Sequence, residues 1–287
     1  MSFSIYKKSI YNFTNSVLVC RCYGGIFMRV AVCGANGRMG KEVVKTILNV
    51  EDLTLTGAFD REESAGVDAG ENAGCKSCGV KISSNLEEVL SNCDCIVDFT
   101  NSSISAEIIK KAIEKNVNCV VGATGHSDKD LEEIRELAKD KTKVLIVPNF
   151  SIGAVLMMRF AKEASLYFDS AEIIELHHEK KMDAPSGTSI KTLKGMLENR
   201  ESFLSPETKK ETMKGARGAE ENGIHIHSVR LPGMVAHQEV IFGKEGEYMT
   251  IRHDSTSRIC FMSGVLVALR NLNKISKGLT IGLEAVM

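Results

Sequence analysis

The chain has 287 residues, 43% hydrophobic and 25% charged, and its 36 Lys and Arg against 37 Asp and Glu leave a formal net charge of -1. That length accommodates two domains with real cores, and the even charge balance excludes the electrostatic bias of a nucleic-acid or membrane-surface protein. No apolar run is long enough to span a membrane, and nine cysteines, several inside apolar runs, suit reduced thiols in a cytoplasmic protein better than a disulfide framework.

Residues 1–27 contain no Asp or Glu and lack the ordered basic, apolar and small-residue regions of a signal peptide. They read as an N-terminal extension, outside a fold that begins at Met28. Arg29 to Cys33 is then a short apolar strand running into Gly34-Ala35-Asn36-Gly37-Arg38-Met39-Gly40 and a helix towards Val50. Glycines between strand and helix permit a tight turn and close approach of backbone to a pyrophosphate at the helix N-terminus. A second strand, Leu53 to Phe59, ends at Asp60, where a dinucleotide fold places the acid that binds ribose, while the adjacent Arg61 suits a 2′-phosphate. Either NADH or NADPH is therefore compatible with this pair.

Residues 64–79 read as a glycine-rich loop. Cys75 and Cys78 within it form a CxxC, but Cys93 and Cys95 are too closely spaced to complete a zinc site, so the expectation is no bound metal. Strands at 80–82, 95–99, 118–121 and 144–147 then alternate with helices at 85–90, 103–116 and 128–138, the pattern of a parallel sheet covered on both faces. Ligands of such sheets collect at the carboxyl ends of the strands. That singles out Asp98 to Thr100, Gly122-Ala123-Thr124-Gly125 and Pro148-Asn149-Phe150-Ser151.

From Ile152 the texture changes to α+β. A helix over 153–167 precedes an apolar strand ending at His177-His178, and Pro185-Ser186-Gly187-Thr188 opens a helix towards Leu197. Its free N–H groups form an anion site beside His177, His178 and Lys181, a set suited to holding a small dianion and delivering a proton to it. A charged, loop-like stretch over 199–221 leads to strands at 224–230, 236–242 and 248–253, with Gly243 to Gly246 as the hairpin turn. A sheet face left without helices is expected to be buried by another subunit. The closing helix (259–272) and strand (279–283) suit the first domain, so the chain is expected to cross back. The domains expected are 28–150 plus 258–287 for the dinucleotide, and 151–257 for substrate and oligomer contacts.

The glycine loop, Gly122 to Gly125, Pro148 to Gly153, His177-His-Glu-Lys-Lys-Met-Asp-Ala-Pro-Ser-Gly-Thr188 and Ser257-Arg258 together make the sequence resemble the dihydrodipicolinate (4-hydroxy-tetrahydrodipicolinate) reductase family. The resemblance implies an N-terminal Rossmann domain with a C-terminal α+β domain. It implies a homotetramer that uses NADPH or NADH to reduce a cyclic dicarboxylate on the diaminopimelate route to lysine. It places the pyrophosphate on Gly34, Ala35, Asn36, Gly37, Arg38 and Met39, the adenosine ribose on Asp60 and Arg61, and the nicotinamide side on Gly122, Ala123, Thr124, Val147, Pro148, Asn149 and Phe150. His177 and Lys181 become the catalytic pair, with His178, Gly187 and Thr188 on substrate carboxylates. Ala123, where many members carry threonine, and Arg230-Leu-Pro-Gly233 depart from the family pattern.

Two other readings stand beside this one. A related two-domain amino-acid or semialdehyde dehydrogenase fits the fold, although a semialdehyde enzyme needs a nucleophilic Cys and none lies in 122–125, 147–153 or 177–188. A non-catalytic dinucleotide sensor has no use for the His and Lys cluster.

Overall fold

The computed structural model describes residues 27–287, so the N-terminal extension, Phe27 apart, lies outside the described residues. The first half alternates β1 (Met28–Cys33), α1 (Arg38–Leu48), β2 (Leu53–Phe59), α2 (Ala69–Asn72), β3 (Ile82–Ser83), α3 (Leu86–Leu90), β4 (Cys95–Asp98), α4 (Ser102–Glu114), β5 (Asn118–Val121), α5 (Asp128–Ala138) and β6 (Lys143–Ile146). The second half contains α6 (Ile152–Ala164), β7 (Ser170–His177), α7 (Gly187–Leu197), β8 (Ala219–Glu221), β9 (Ile224–Arg230), β10 (Ala236–Lys244), β11 (Glu247–Ser255), α8 (Cys260–Arg270) and β12 (Gly278–Ile281).

Seven strands form a parallel sheet in the order β12-β6-β5-β4-β1-β2-β3. β1 shows why its sequence is apolar throughout. Val30 and Val32 pack with Val43, Val44 and Ile47 of α1 and with Val265 and Leu269 of α8. Ala31 and Cys33 face the other layer, with Leu90 of α3, Ile109 and Ile113 of α4 and Ile134 of α5. A strand buried on both faces has no position for a polar side chain. The helices start where side chains accept the first free N–H groups, Asn85 for α3, Asn101 for α4, Ser127 for α5 and Ser151 for α6. Such a cap stabilises a helix by about 1 kcal/mol. α1 and α8 are different, because neither Gly37 nor Ile259 at their starts supplies a side-chain cap.

The second sheet runs β11-β10-β7-β9-β8, antiparallel except for β7 with β9. Ile173 of β7, Val240 of β10 and Ile226 of β9 pack beneath Ala161 of α6 and Leu193 and Met196 of α7. The opposite face carries Glu172, which holds Arg217 and His227, and an Arg252 bridge between Glu239 and Asp254. The chain does cross back: β12 pairs with β6, and α8 packs with the first sheet's core.

Some local expectations are corrected. β10 and β11 pair as far as Lys244 with Glu247, so the turn is Glu245-Gly246 rather than 243–246, with Gly246 at φ 82°. The loop at 64–79 contains α2, whose start is capped by Asp68. The charged stretch at 199–221 contains β8 and is anchored in the core by Phe203, which is 5% exposed.

Candidate active site

The glycine loop sits at the carboxyl end of β1, where strand order reverses between β1 and β4. Gly34 adopts φ 79°, and a Cβ on Gly40 would lie 2.0 Å from the Gly34 carbonyl oxygen. The motif therefore serves two physical ends: a left-handed turn, and a helix packed against the loop more closely than a side chain permits. With no side chain capping α1, its first N–H groups remain available to an anion. The Asp60 carboxylate accepts the Asn36 N–H at 2.7 Å and the Arg61 N–H at 2.8 Å, tying the end of β2 to the loop. These residues fit a dinucleotide: an uncapped helix start for the pyrophosphate and a carboxylate beside it for a ribose hydroxyl.

Along the same sheet edge, Asp98 ends β4 fully buried. It accepts from Thr100 N–H at 2.9 Å, Thr100 Oγ1 at 2.7 Å and the Ser105 hydroxyl. Burial pushes its carboxyl above the usual range, partly offset by those donors. His126 Nε2 lies 3.0 Å from Ser105 Oγ and pins the loop after β5 to α4.

A cleft of about 360 Å³ opens between the two sheets. Met39, Phe99, Gly122, Thr124 and Val147 to Ser151 line it from one side, and His177, Thr188, Gln238, His253 and Ser255 from the other. Phe99 and Phe150 meet with ring centroids 5.4 Å apart. Gly122 leaves room for the Phe99 ring, which a Cβ there would meet at 2.2 Å. Asn149 joins the two sides, its Nδ2 donating to Thr188 Oγ1 at 3.4 Å. The cleft therefore unites Met39, Gly122, Thr124, Val147, Pro148, Asn149, Phe150, His177 and Thr188. Gly34 to Arg38, Asp60 and Arg61 lie outside this cavity, as an extended dinucleotide requires, and the Ala123 side chain is buried in the core below α4. His178, Lys181 and Gly187 are not among its lining residues.

The substrate side is built on β7 and α7. Alternation along β7 turns Ala171, Ile173, Glu175 and His177 to the same face. His177 Nδ1 contacts the Glu175 carboxylate, which also accepts from Arg230 Nη1 at 2.9 Å and Nη2 at 2.8 Å and from the Ser186 N–H at 3.3 Å. Burial lowers the His177 pKa, opposed by Glu175 and reinforced by Lys181 and Arg230, so the ring favours its neutral form. Ser186 caps α7, and Lys181 reaches back to Asp183 at 2.7 Å, holding that carboxyl below its usual range.

Four residues went unnoticed in the sequence: Glu175, Gln238, His237 and His253. The strand register sets Glu175, Gln238 and His253 side by side on the inner face. Gln238 exchanges hydrogen bonds with Ser189 and Thr192 of α7, each 2.8 Å, and His253 Nε2 lies 3.0 Å from Ser151 Oγ. For Glu175, Gln238 and His253 the hint was a polar residue at an inward position of its strand; His237 lies at the opposite parity, beside Asp254. Among the described residues, no three His, Cys, Asp or Glu side chains cluster as a metal site requires, and Cys75 and Cys78 are free thiols. No described helix is long and apolar enough to cross a membrane.

Family models described as the N-terminus and the C-terminus of dihydrodipicolinate reductase match residues 28–150 and 153–287. The chain is 49% identical over 265 residues to the 4-hydroxy-tetrahydrodipicolinate reductase of Listeria welshimeri, covering 91% of this chain and all of that one. It is 48% identical over 263 residues to the enzyme of that name from Desulfitobacterium hafniense, covering 90% and 97% of the two chains. The dipicolinate-bound dihydrodipicolinate reductase of Paenisporosarcina sp. TG-14 superposes with a TM-score of 0.82 at 41% identity, over 91% of this chain and all of that one.

Proposed function

Because the chain belongs to the dihydrodipicolinate reductase family, we propose that it reduces 4-hydroxy-tetrahydrodipicolinate to tetrahydrodipicolinate, with NADPH or NADH as reductant, at the cleft between the two sheets. The observation that carries this reading is the cleft itself. It sets the strand ends of a dinucleotide fold, Gly122 and Thr124 with Val147 to Phe150, against His177 and the start of α7.

When bound, the nicotinamide would supply a hydride to an electron-poor carbon of the conjugated ring imine left when the ring hydroxyl departs with a ring proton as water. The protein does the rest. Gly34 to Met39 hold the pyrophosphate against α1, and Asp60 and Arg61 hold the adenosine ribose. Phe99 and Phe150 shield the reacting ring from water. The Gly187 and Thr188 N–H groups, with His178, grip the substrate carboxylates, and a dicarboxylate bound in the Paenisporosarcina relative fits that chemistry. Lys181 supplies the proton. A dianion beside an ammonium group raises its pKa and favours the acid form. Lys181 lies 2.7 Å from Asp183, a partner it exchanges for the substrate in this reading.

In this reading residues 28–150 plus 258–287 serve the dinucleotide and 151–257 the substrate, a division supported by the pairing of β12 with β6 and the packing of α8 in the first sheet's core. The outer face of the second sheet, with Ile174, Leu176 and Ile241 among its ion pairs, is the surface on which copies of the chain assemble as a homotetramer. The protein acts in the cytoplasm, as a small diffusible substrate and a reduced nicotinamide pool require.

The test is absorbance at 340 nm with purified protein, NADH or NADPH in turn, and substrate made in situ from pyruvate and aspartate semialdehyde by its synthase. Oxidation that needs both the synthase and this protein is expected. Protein that binds the nucleotide yet oxidises neither cofactor would overturn the assignment.

A further inference from the structure

Glu175 is a carboxylate with none of its side chain exposed, two residues before His177 on the same face of β7. An unpaired buried carboxylate is costly, and Arg230 from β9 supplies the countercharge through two parallel hydrogen bonds. An ion pair that only joined two strands would stop there. This one continues in three directions. The carboxylate takes His177 Nδ1 and the Ser186 N–H just before α7, and Arg230 Nη2 donates to the Asp183 carbonyl at 2.7 Å, in the loop that carries Lys181. One buried pair thus touches the imidazole, the proton-donor loop and the anion-binding helix start.

The chemistry of the contact is one-sided. Burial pushes the Glu175 pKa up, but Arg230, Ser228 and His177 outweigh it and hold the group below the usual carboxylate range. An ionised carboxylate only accepts hydrogen bonds, so the nitrogen facing it must carry the proton. We infer that Glu175, clasped by Arg230, is a positioning residue that fixes His177 as the Nδ1–H tautomer. Nε2 is thereby left as a proton acceptor for the cleft in the free enzyme. The inference rests on the reading of His177 as a catalytic group. It divides the labour between the two groups, with His177 entering the cycle unprotonated at Nε2 and Lys181 carrying the proton.

The experiment uses the full chain with 15N-labelled histidine, the His177 resonances being identified by their absence in His177→Gln. At pH 7.5 wild-type His177 is expected to show a protonated Nδ1 and a bare Nε2. In Glu175→Gln the limb of the kcat/KM profile assigned to His177 is expected to move to lower pH by about one unit, since a carboxylate that favours the imidazolium has gone. Nicotinamide-nucleotide affinity should stay unchanged. A purely structural ion pair would lower the melting temperature without moving that limb. An Nε2–H tautomer in the wild type overturns the inference, and that spectrum decides the matter alone if Glu175→Gln does not fold. An unmoved limb in folded Glu175→Gln, with His177→Gln inactive, overturns it while sparing the catalytic reading. Full kcat in His177→Gln removes that reading itself.

Discussion

Replacing Gly40 by Ala puts the proposed coenzyme loop to a quantitative test. The added Cβ would stand 2.0 Å from the Gly34 oxygen and 2.7 Å from its carbon, whereas real Cβ atoms essentially never approach closer than 3.0 Å. The obstacle is backbone, so the first turn of α1 must withdraw by about 1 Å. An N–H to phosphate bond near 2.9 Å is then stretched to roughly 3.9 Å and ceases to be a hydrogen bond. Two such bonds to an anion, partly retained through water, are worth roughly 2–3 kcal/mol, which weakens NADH and NADPH binding about 30- to 150-fold. Stability changes less. Overpacking costs about 1–3 kcal/mol, and the better helix propensity of Ala returns about 1 kcal/mol. Fluorescence titration of reduced nucleotide and a thermal melt measure the two effects separately. Gly195→Ala, in α7 with nothing within 4 Å of the new methyl, is the control and should leave nucleotide affinity unchanged. A folded Gly40→Ala protein with wild-type nucleotide affinity would refute the role given to the loop.

Lys181→Ala should lower kcat by roughly 10²- to 10⁴-fold with nucleotide affinity unchanged, and unchanged steady-state kcat would remove Lys181 as proton donor. Asp60→Ala should weaken NADH by about tenfold or more and NADPH less, because a ribose hydroxyl loses its acceptor whereas a 2′-phosphate loses a repulsive neighbour; equal weakening in paired titrations would contradict the ribose role. Burial lowers the pKa of His253 below its ordinary value, with Asp254 opposing and His237 reinforcing the shift. A depressed histidine stabilises the fold above the unfolded pKa near 6.5, and that contribution fades as pH falls towards the folded value. The stability lost in His253→Gln should therefore be greater at pH 8 than at pH 5 in urea denaturation, and an equal loss at both would exclude this linkage.

Much of the first sheet was legible because its elements obey local rules. β1, β5 and α5 are contiguous patterns bounded by glycine or capping residues, and residues buried on both faces leave unbroken apolar runs. The His-Lys block was legible as chemistry. Its supporting structure was not. Gln238 and His253 reach the cleft only because β10 and β11 pair in one register beside β7, a fact with no local trace. Glu175 looks like an ordinary strand glutamate until its inward parity and Arg230, 55 residues away, are both in place. The partners of Asp98 are hidden for the same reason, since Ser105 donates to it from the first turn of α4 and His126, ahead of α5, contacts Ser105 in turn.

The pairing of β12 with β6 has a consequence for synthesis and folding. Gly278 sits opposite Lys143, and α8 covers Val30 and Val32, residues made at the start of the described chain. On the ribosome the first six strands emerge with one sheet edge open and one face covered by α1 but not yet by α8, and both stay so until the whole second sheet has been made. The second sheet's elements are contiguous in sequence and can settle first. A chain stopped before residue 260 would lack α8 and β12. It would keep every residue proposed to touch the substrate and lose the closure of the nucleotide lobe.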